Sequence, residues 1–266
     1  MKKNIYYRRV LRRENKLQNA IFDFFLKFCS YYRLVLEVFI RKNFGVRYFS
    51  MASVVTVGMF LLFLPIGLRL LPFPTHYNSM ADYTADQGWH FWVRYAAWYL
   101  FTFAFFYFAW QRRKEIRRNP SVFDFGKFSL YSGDIDPRFF NLHPFGKKPT
   151  IRQVETLFEP ALFFAAGGAL WLIGQKLGVL LMTCSVFYGL GYAGAYKKGD
   201  DFVMDKIDEM ILNEDLEDVF VNDVVNSERG VRFYADKPDD KTLRRKLADA
   251  MVEDGPAEEV TFAEEV

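Results

Sequence analysis

Four side chains able to ligate a divalent cation, His76, Asp82, Asp86 and His90, fall within one stretch of 15 residues. A zinc centre needs such groups to converge, and its usual mark is a pair of ligands one helical turn apart or a nearby cysteine. Neither is present, so loop polarity explains the four at less cost and no metal is expected. Asp201, Asp205 and Asp208 share one helical face just after a long apolar run. That is where a membrane phosphotransferase would hold Mg²⁺ against a headgroup. The partners this chemistry requires are missing: there is no Asp-Gly-x-x-Ala-Arg pattern, no glycine-rich phosphate cradle and no paired histidine. An acidic solvated or partner-binding face is the better reading. Asp134 and Asp136 read as turn formers, as does His143 before Pro144. No catalytic residue and no cofactor is expected.

The elements that must position these groups are apolar helices. Between Glu159 and Lys176 lie 16 residues without a formal charge, and between Lys176 and Lys197 lie 20. A helix needs about 20 residues to cross the hydrocarbon of a bilayer. The connection at Gln175 and Lys176 is so short that the two runs predict an antiparallel transmembrane hairpin. Ala161, Ala165 and Ala169 on the first run, and Ser185, Gly189 and Ala193 on the second, recur every four residues as a small-residue packing face. Leucine at Gly189 is expected to force the helices apart, and leucine at Gly174, near the turn, to be milder. Tyr48–Leu68 and Tyr95–Gln111 supply two further charge-free runs, which predict a first hairpin.

Charge orients these spans. Residues 1–118 carry 19 Lys and Arg against 6 Asp and Glu, and residues 119–266 carry 16 against 26, so the net charge of +3 hides a basic front and an acidic back. Arg112, Arg113, Lys114, Arg117 and Arg118 follow the second run, whereas the loop from Pro72 to Val93 has no Lys or Arg. Positive flanks stay in the cytoplasm, which puts both termini inside and the loop outside. No charge falls within the four runs, with Arg69, Arg94 and Glu159 at their edges. This disfavours an ion-coupled pump. Thr56, Thr102 and Thr183 are the hydroxyls around which oligomers could build a pore, although each can equally bond its own helix. The two cysteines, Cys29 and Cys184, read as small apolar packing residues rather than a disulfide.

Ahead of the first span, Arg8, Arg9, Arg12 and Arg13 form a basic arm. From Leu17 to Ile40 apolar residues recur at three- and four-residue spacing, with Lys27 among the polar positions. This pattern predicts an amphipathic helix on the cytoplasmic leaflet, with Arg8, Arg9, Arg12, Arg13 and Lys27 meeting the membrane surface. Direct nucleic-acid binding is disfavoured for want of a fold to present the arm. Beyond the last span, Asp200–Asp223 holds ten acidic residues and one Lys. It predicts a helix with an apolar stripe and an acidic face, on which Asp208, Asp215 and Asp218 are partner-binding candidates.

Gly199-Asp200-Asp201-Phe202-Val203-Met204-Asp205-Lys206-Ile207-Asp208-Glu209-Met210, with Arg229-Gly230-Val231-Arg232-Phe233-Tyr234 further on, resembles uncharacterised membrane proteins of bacterial conjugative elements. The resemblance implies a bacterial inner membrane and a DNA-transfer apparatus as the setting, and no catalytic signature.

The expected fold is thus an all-α membrane protein with four transmembrane helices as two hairpins. Residues 1–47 form a basic arm and interfacial helix; 48–111, a hairpin with external loop 72–93; 112–159, a cytoplasmic connector. Residues 160–196 form the second hairpin; 197–252, an acidic helical segment with a last helix capped by Asp239 or Asp240; and 253–266, a disordered acidic tail. The expected role is a structural or scaffolding subunit of a larger assembly, with the bilayer and other subunits as partners. A homo-oligomeric transporter or pore, and an enzyme using the acids after the fourth span, are the alternatives.

Overall fold

The structure, a computed structural model, describes residues 3–12, 15–70, 89–117, 128–142, 147–224 and 229–253. Residues 72–88 of the expected external loop, with His76, Asp82 and Asp86, lie outside the described residues, as do Arg13, His143, the tail from 254 and the side chain of His90; residues 89–93, expected as the end of that loop, instead open a helix. The described residues are mostly helical, and the chain divides into two compact units. One comprises Phe22–Tyr196, the other Met1–Ile21 with Lys197–Val266. The sequence reading kept residues 1–47 together; the boundary instead falls inside the first helix.

In the unit Phe22–Tyr196, helix α1 (Lys16–Ile40) runs into a corner at Asn43–Gly45, and α2 (Met51–Leu70) follows. The connector returns to this corner: the Gly45 and Arg47 amides donate to Tyr131 and Ser129 carbonyls, both at 2.9 Å. A Cβ on Gly45 would lie 2.3 Å from the Ser129 oxygen, so only glycine lets the two backbones meet. Helix α2 continues through Pro65 to Leu70. Proline has no amide to offer the carbonyl four residues back. That carbonyl belongs to Leu61, and the buried indole of Trp98 on α3 (Trp89–Arg117) takes it at 2.8 Å. Gly58 admits the Phe106 ring at the same interface.

A capping box between Thr150 and Gln153 starts the next run, Ile151–Gln153, which passes through one π-helical stretch, Val154–Phe158, into α4 (Glu159–Leu172). Gly174, at φ +83°, ends α4: its amide donates to Trp171 and that of Gln175 to Leu170, the paired bonds of a Schellman stop. Helix α5 (Leu177–Leu216) then begins, 40 residues long. Gly167 and Gly178 bring α4 and α5 together near the turn, where a Cβ on Gly178 would lie 2.4 Å from the Gly167 oxygen. On the other side of α5, Gly191 and Gly194 receive Cys29, Arg33 and Leu26 of α1. The second half of α1 is therefore built into the core, with Leu34, Val35, Leu36 and Val38 buried. Only its first half exposes an apolar stripe, at Leu17, Ile21, Phe24 and Phe28.

Among the described residues one helix, Leu177–Val221, is long and apolar enough to cross a membrane by length and composition; Met51–Gly67 is a shorter apolar segment. The sequence reading expected four such helices. The reasons for the difference are local: α4 is only 14 residues long, and α3 is rich in Tyr and Trp, whose polar tips lower its hydropathy.

The other unit is discontinuous in sequence. Strand β1 (Lys3–Asn4) pairs antiparallel with β2 (Val252–Glu253). Tyr6 stacks on Phe233 at 4.2 Å, and Phe233 packs on Phe220 at 4.4 Å. Helix α6 (Lys241–Met251) is capped by Asp240, which accepts the Thr242 amide at 2.8 Å, and seats Ala248 against Leu216 and Phe220.

Candidate functional site

Three ladders of side chains at four-residue spacing converge inside the unit Phe22–Tyr196: Arg33, Glu37 and Arg41 from α1 and its end, Glu155 and Glu159 from the run entering α4, and Tyr188, Tyr192 and Tyr196 from α5. Four-residue spacing stacks each set on one helical face. Arg41 and Glu159 are both 0% exposed, and Glu37 is 1%.

Arg41 is the hub. It grips both carboxylate oxygens of Glu159, through Nε at 3.3 Å and through Nη2, and its Nη1 reaches Glu155 Oε1 at 3.0 Å. Nη1 also donates to the Ser132 hydroxyl at 3.2 Å and to the Tyr192 hydroxyl. The Tyr192 hydroxyl in turn donates to Glu37 Oε1 at 2.8 Å. Tyr48 donates to Glu37 Oε2 at 2.7 Å, and Arg33 Nε reaches Glu37 Oε1 at 3.2 Å. Tyr188 donates to Glu159, and Tyr196 to Glu155 Oε2 at 2.6 Å. The Arg33 guanidinium lies 3.8 Å from the centre of the Tyr192 ring.

Every oxygen of the three carboxylates therefore has a partner. A buried network of this kind is costly when half satisfied and specifies a unique arrangement when complete. Chemically, the cluster is three carboxylates, two guanidiniums and four phenols with no open ligand position. It joins α1, the connector, the run entering α4 and α5 through charged hydrogen bonds. The sequence reading missed it because each ladder has an ordinary explanation taken singly: a solvated helix face, a span boundary and an aromatic run.

The other singled-out residues are placed as follows. Ser185 and Gly189 do face the run entering α4: the Ser185 hydroxyl donates to the Pro160 carbonyl, and a Cβ on Gly189 would lie 2.9 Å from the Thr156 oxygen. Ala161, Ala165, Ala169 and Ala193 are exposed instead. Spacing states which residues share a face and not which face turns inward. The Thr56 and Thr102 hydroxyls bond the carbonyls of Ala52 and Trp98 in their own helices.

In the discontinuous unit the basic arm meets the acidic helix. Arg8 lies 3.4 Å from Glu209 and Arg12 3.1 Å from Asp205, although the sequence reading turned both toward lipid. Arg9 is exposed, as is Lys27 on α1. Glu209, almost wholly buried, also accepts the Asn4 amide at 2.9 Å and pairs with Lys206 at 2.6 Å. Burial works against its charge, but these bonds and Arg8 outweigh it and hold the carboxyl below the usual range. Tyr7 is pushed up to about 12 by burial and by Asp205 and Asp208. Asp208 and Asp218 are exposed, whereas Asp215 lies 4.0 Å from Arg229. Asp134 and Asp136 serve turns: Asp134 accepts from Asn43 and Tyr131, and Asp136 caps the turn Pro137–Asn141. Among the described residues no group of His, Cys, Asp and Glu is arranged to hold a metal.

Compared with protein-family models, with curated proteins and with solved structures, the chain matches none.

Proposed function

We propose that the protein is a scaffolding subunit of a bacterial inner-membrane assembly, with α2, α3 and the α4–α5 hairpin as four crossings and both termini cytoplasmic. One observation carries this reading: the polarity of the unit Phe22–Tyr196 is inverted. Its charged ladders are buried and paired, while large apolar side chains stand exposed, among them Phe60 and Phe63 on α2, Leu100 and Phe103 on α3, Phe164 on α4 and Leu190 on α5. So many exposed large apolar side chains on helices call for lipid or a protein partner.

Lengths support the crossings. At 1.5 Å per residue, α2 reaches about 30 Å and α3 about 43 Å, against a hydrocarbon core of about 30 Å. Helix α4 alone is too short, at about 21 Å, and its crossing draws on the helical turns from Ile151. Those turns carry Glu155, and α4 opens on Glu159; the two carboxylates share the single positive charge of Arg41 at the end of α1. A closed, fully bonded network suits a clamp better than a path for ions, and favours a scaffold over a transporter or pore. The resemblance to proteins of conjugative elements suggests DNA transfer as the setting.

Reporter fusions test the arrangement. Fusions at Ser79 and Lys176 should report the periplasm, and fusions at Ser132 and Val266 the cytoplasm. A cytoplasmic signal at Lys176 would remove the second hairpin from the membrane and end the proposal.

A further inference from the structure

A cleft of about 190 Å³ opens between α1 and the start of α2, within the unit Phe22–Tyr196. Its floor is the Glu37–Tyr48 pair of the buried network, whose carboxylate is already saturated by Arg33, Tyr48 and Tyr192. Its walls carry Lys27 and Ser30 from α1, Ser50 just before α2, and Ser53 in its first turn. None of these four side chains makes a hydrogen bond or an ion pair with the described residues. One ammonium and three hydroxyls thus line a polar pocket, and Glu37, the carboxylate in its lining, is already bonded.

We infer that this cleft binds the phosphate of an anionic phospholipid headgroup. The donors suit the chemistry, since an ammonium and hydroxyls all donate to phosphate oxygens and no unpaired carboxylate opposes them. The size suits a headgroup, because drug-sized ligands fill roughly 300 Å³ or more. The surroundings suit a lipid over free phosphate. Phe24, Phe28 and Tyr31 stand exposed on α1 beside the cleft, where acyl chains can cover them while the phosphate enters. The bound lipid would seal α1 to the cytoplasmic leaflet and assign Lys27 a defined partner rather than a diffuse surface charge.

The inference rests on the membrane reading above, so its test separates the two. The full chain is purified in mild detergent. Binding of phosphatidylglycerol and phosphatidylcholine is read by native mass spectrometry, for wild type, Lys27→Gln, the double variant Ser50→Ala with Ser53→Ala, and Lys16→Gln as a basic control on the same helix. Membrane fractionation of each variant is the parallel readout. Wild type should prefer phosphatidylglycerol, and Lys27→Gln should lose about fivefold in occupancy, the effect of one Lys near an anionic surface. The serine pair should weaken binding as well, and Lys16→Gln should not. Equal binding by wild type and Lys27→Gln, in chains that still fractionate with membranes, would overturn the cleft assignment alone. Displacement of the lipid by inorganic phosphate at equal concentration would overturn the choice of a lipid. Loss of the wild type from the membrane fraction would instead overturn the membrane reading.

Discussion

Arg41 holds both oxygens of Glu159 from 118 residues away along the chain. The pair links the end of the first helix to the start of the second hairpin, and neither partner is exposed. Replacing Arg41 by Met leaves two buried carboxylates without a counter-charge, a change that costs about 3–5 kcal/mol. The expected outcome is a large fall in Tm in detergent. Arg41→Lys should rescue little, because an ammonium cannot grip two oxygens at once. Adding Glu155→Gln and Glu159→Gln to Arg41→Met should recover much of the loss. A triple variant no more stable than the single one would show that the charges matter less than the shape of the arginine.

The glycine contact near the hairpin turn is a second point of weakness. A side chain at Gly178 meets the backbone of Gly167 and Trp171, which has no flexible end to yield, whereas Gly168 has nothing within 4 Å. Gly178→Leu should therefore destabilise the hairpin by more than the ~1–3 kcal/mol of ordinary overpacking, and Gly168→Ala should be neutral or mildly favourable. Gly174 is no mild control, because its φ of +83° penalises any side chain there. Equal Tm values for the Gly178 and Gly168 variants would remove the close approach from the account.

Acid should loosen the discontinuous unit. Glu209 is held below the usual carboxylate range, and so is Asp223 by hydrogen bonds from Lys237 and Arg244. A depressed folded-state pKa contributes stability that is full above the unfolded value and is lost as pH falls through the folded one. Amide protection factors in residues 205–221, which correct exchange rates for their intrinsic pH dependence, should therefore be flat near neutrality and fall below about pH 4, the ordinary carboxylate value. Glu209→Gln should blunt that fall. An onset at pH 6 or above would point to groups other than these.

Docking on the acidic helix is best probed at Asp208 and Asp218. Both are exposed, and Asp218 bonds only locally, to Asn222 at 3.2 Å. Changing Asp215 would disturb its approach to Arg229 as well. Converting Asp208 and Asp218 together to Lys should weaken co-purification with partner subunits and reduce its salt sensitivity, while single changes do little. Unchanged recovery of partners by the double variant would rule out this face.

Much of the fold was legible in the residues. The Asp240 cap and the hairpin stop beside Gln175 are local signals, decided by a few neighbouring atoms. The buried network was not legible. Arg33, Glu37 and Arg41 look like the polar edge of an amphipathic helix until Tyr192, 151 residues beyond Arg41, is brought between them. The arm failed in the same way, since a run of arginines suits a lipid surface and an acidic helix equally, and only the fold brings Glu209 to Arg8.

The antiparallel pairing of Lys3 and Asn4 with Val252 and Glu253 has a consequence for biogenesis. At about 5–20 residues per second, on the order of tens of seconds separate synthesis of the two strands. Until residues 205–209 are made, the arginines of the arm have no Glu209 or Asp205 to meet. The arm thus keeps its positive charge exposed while the intervening helices are synthesised, surrenders it to the acidic helix once that helix exists, and is fastened in place last of all by the strand pair.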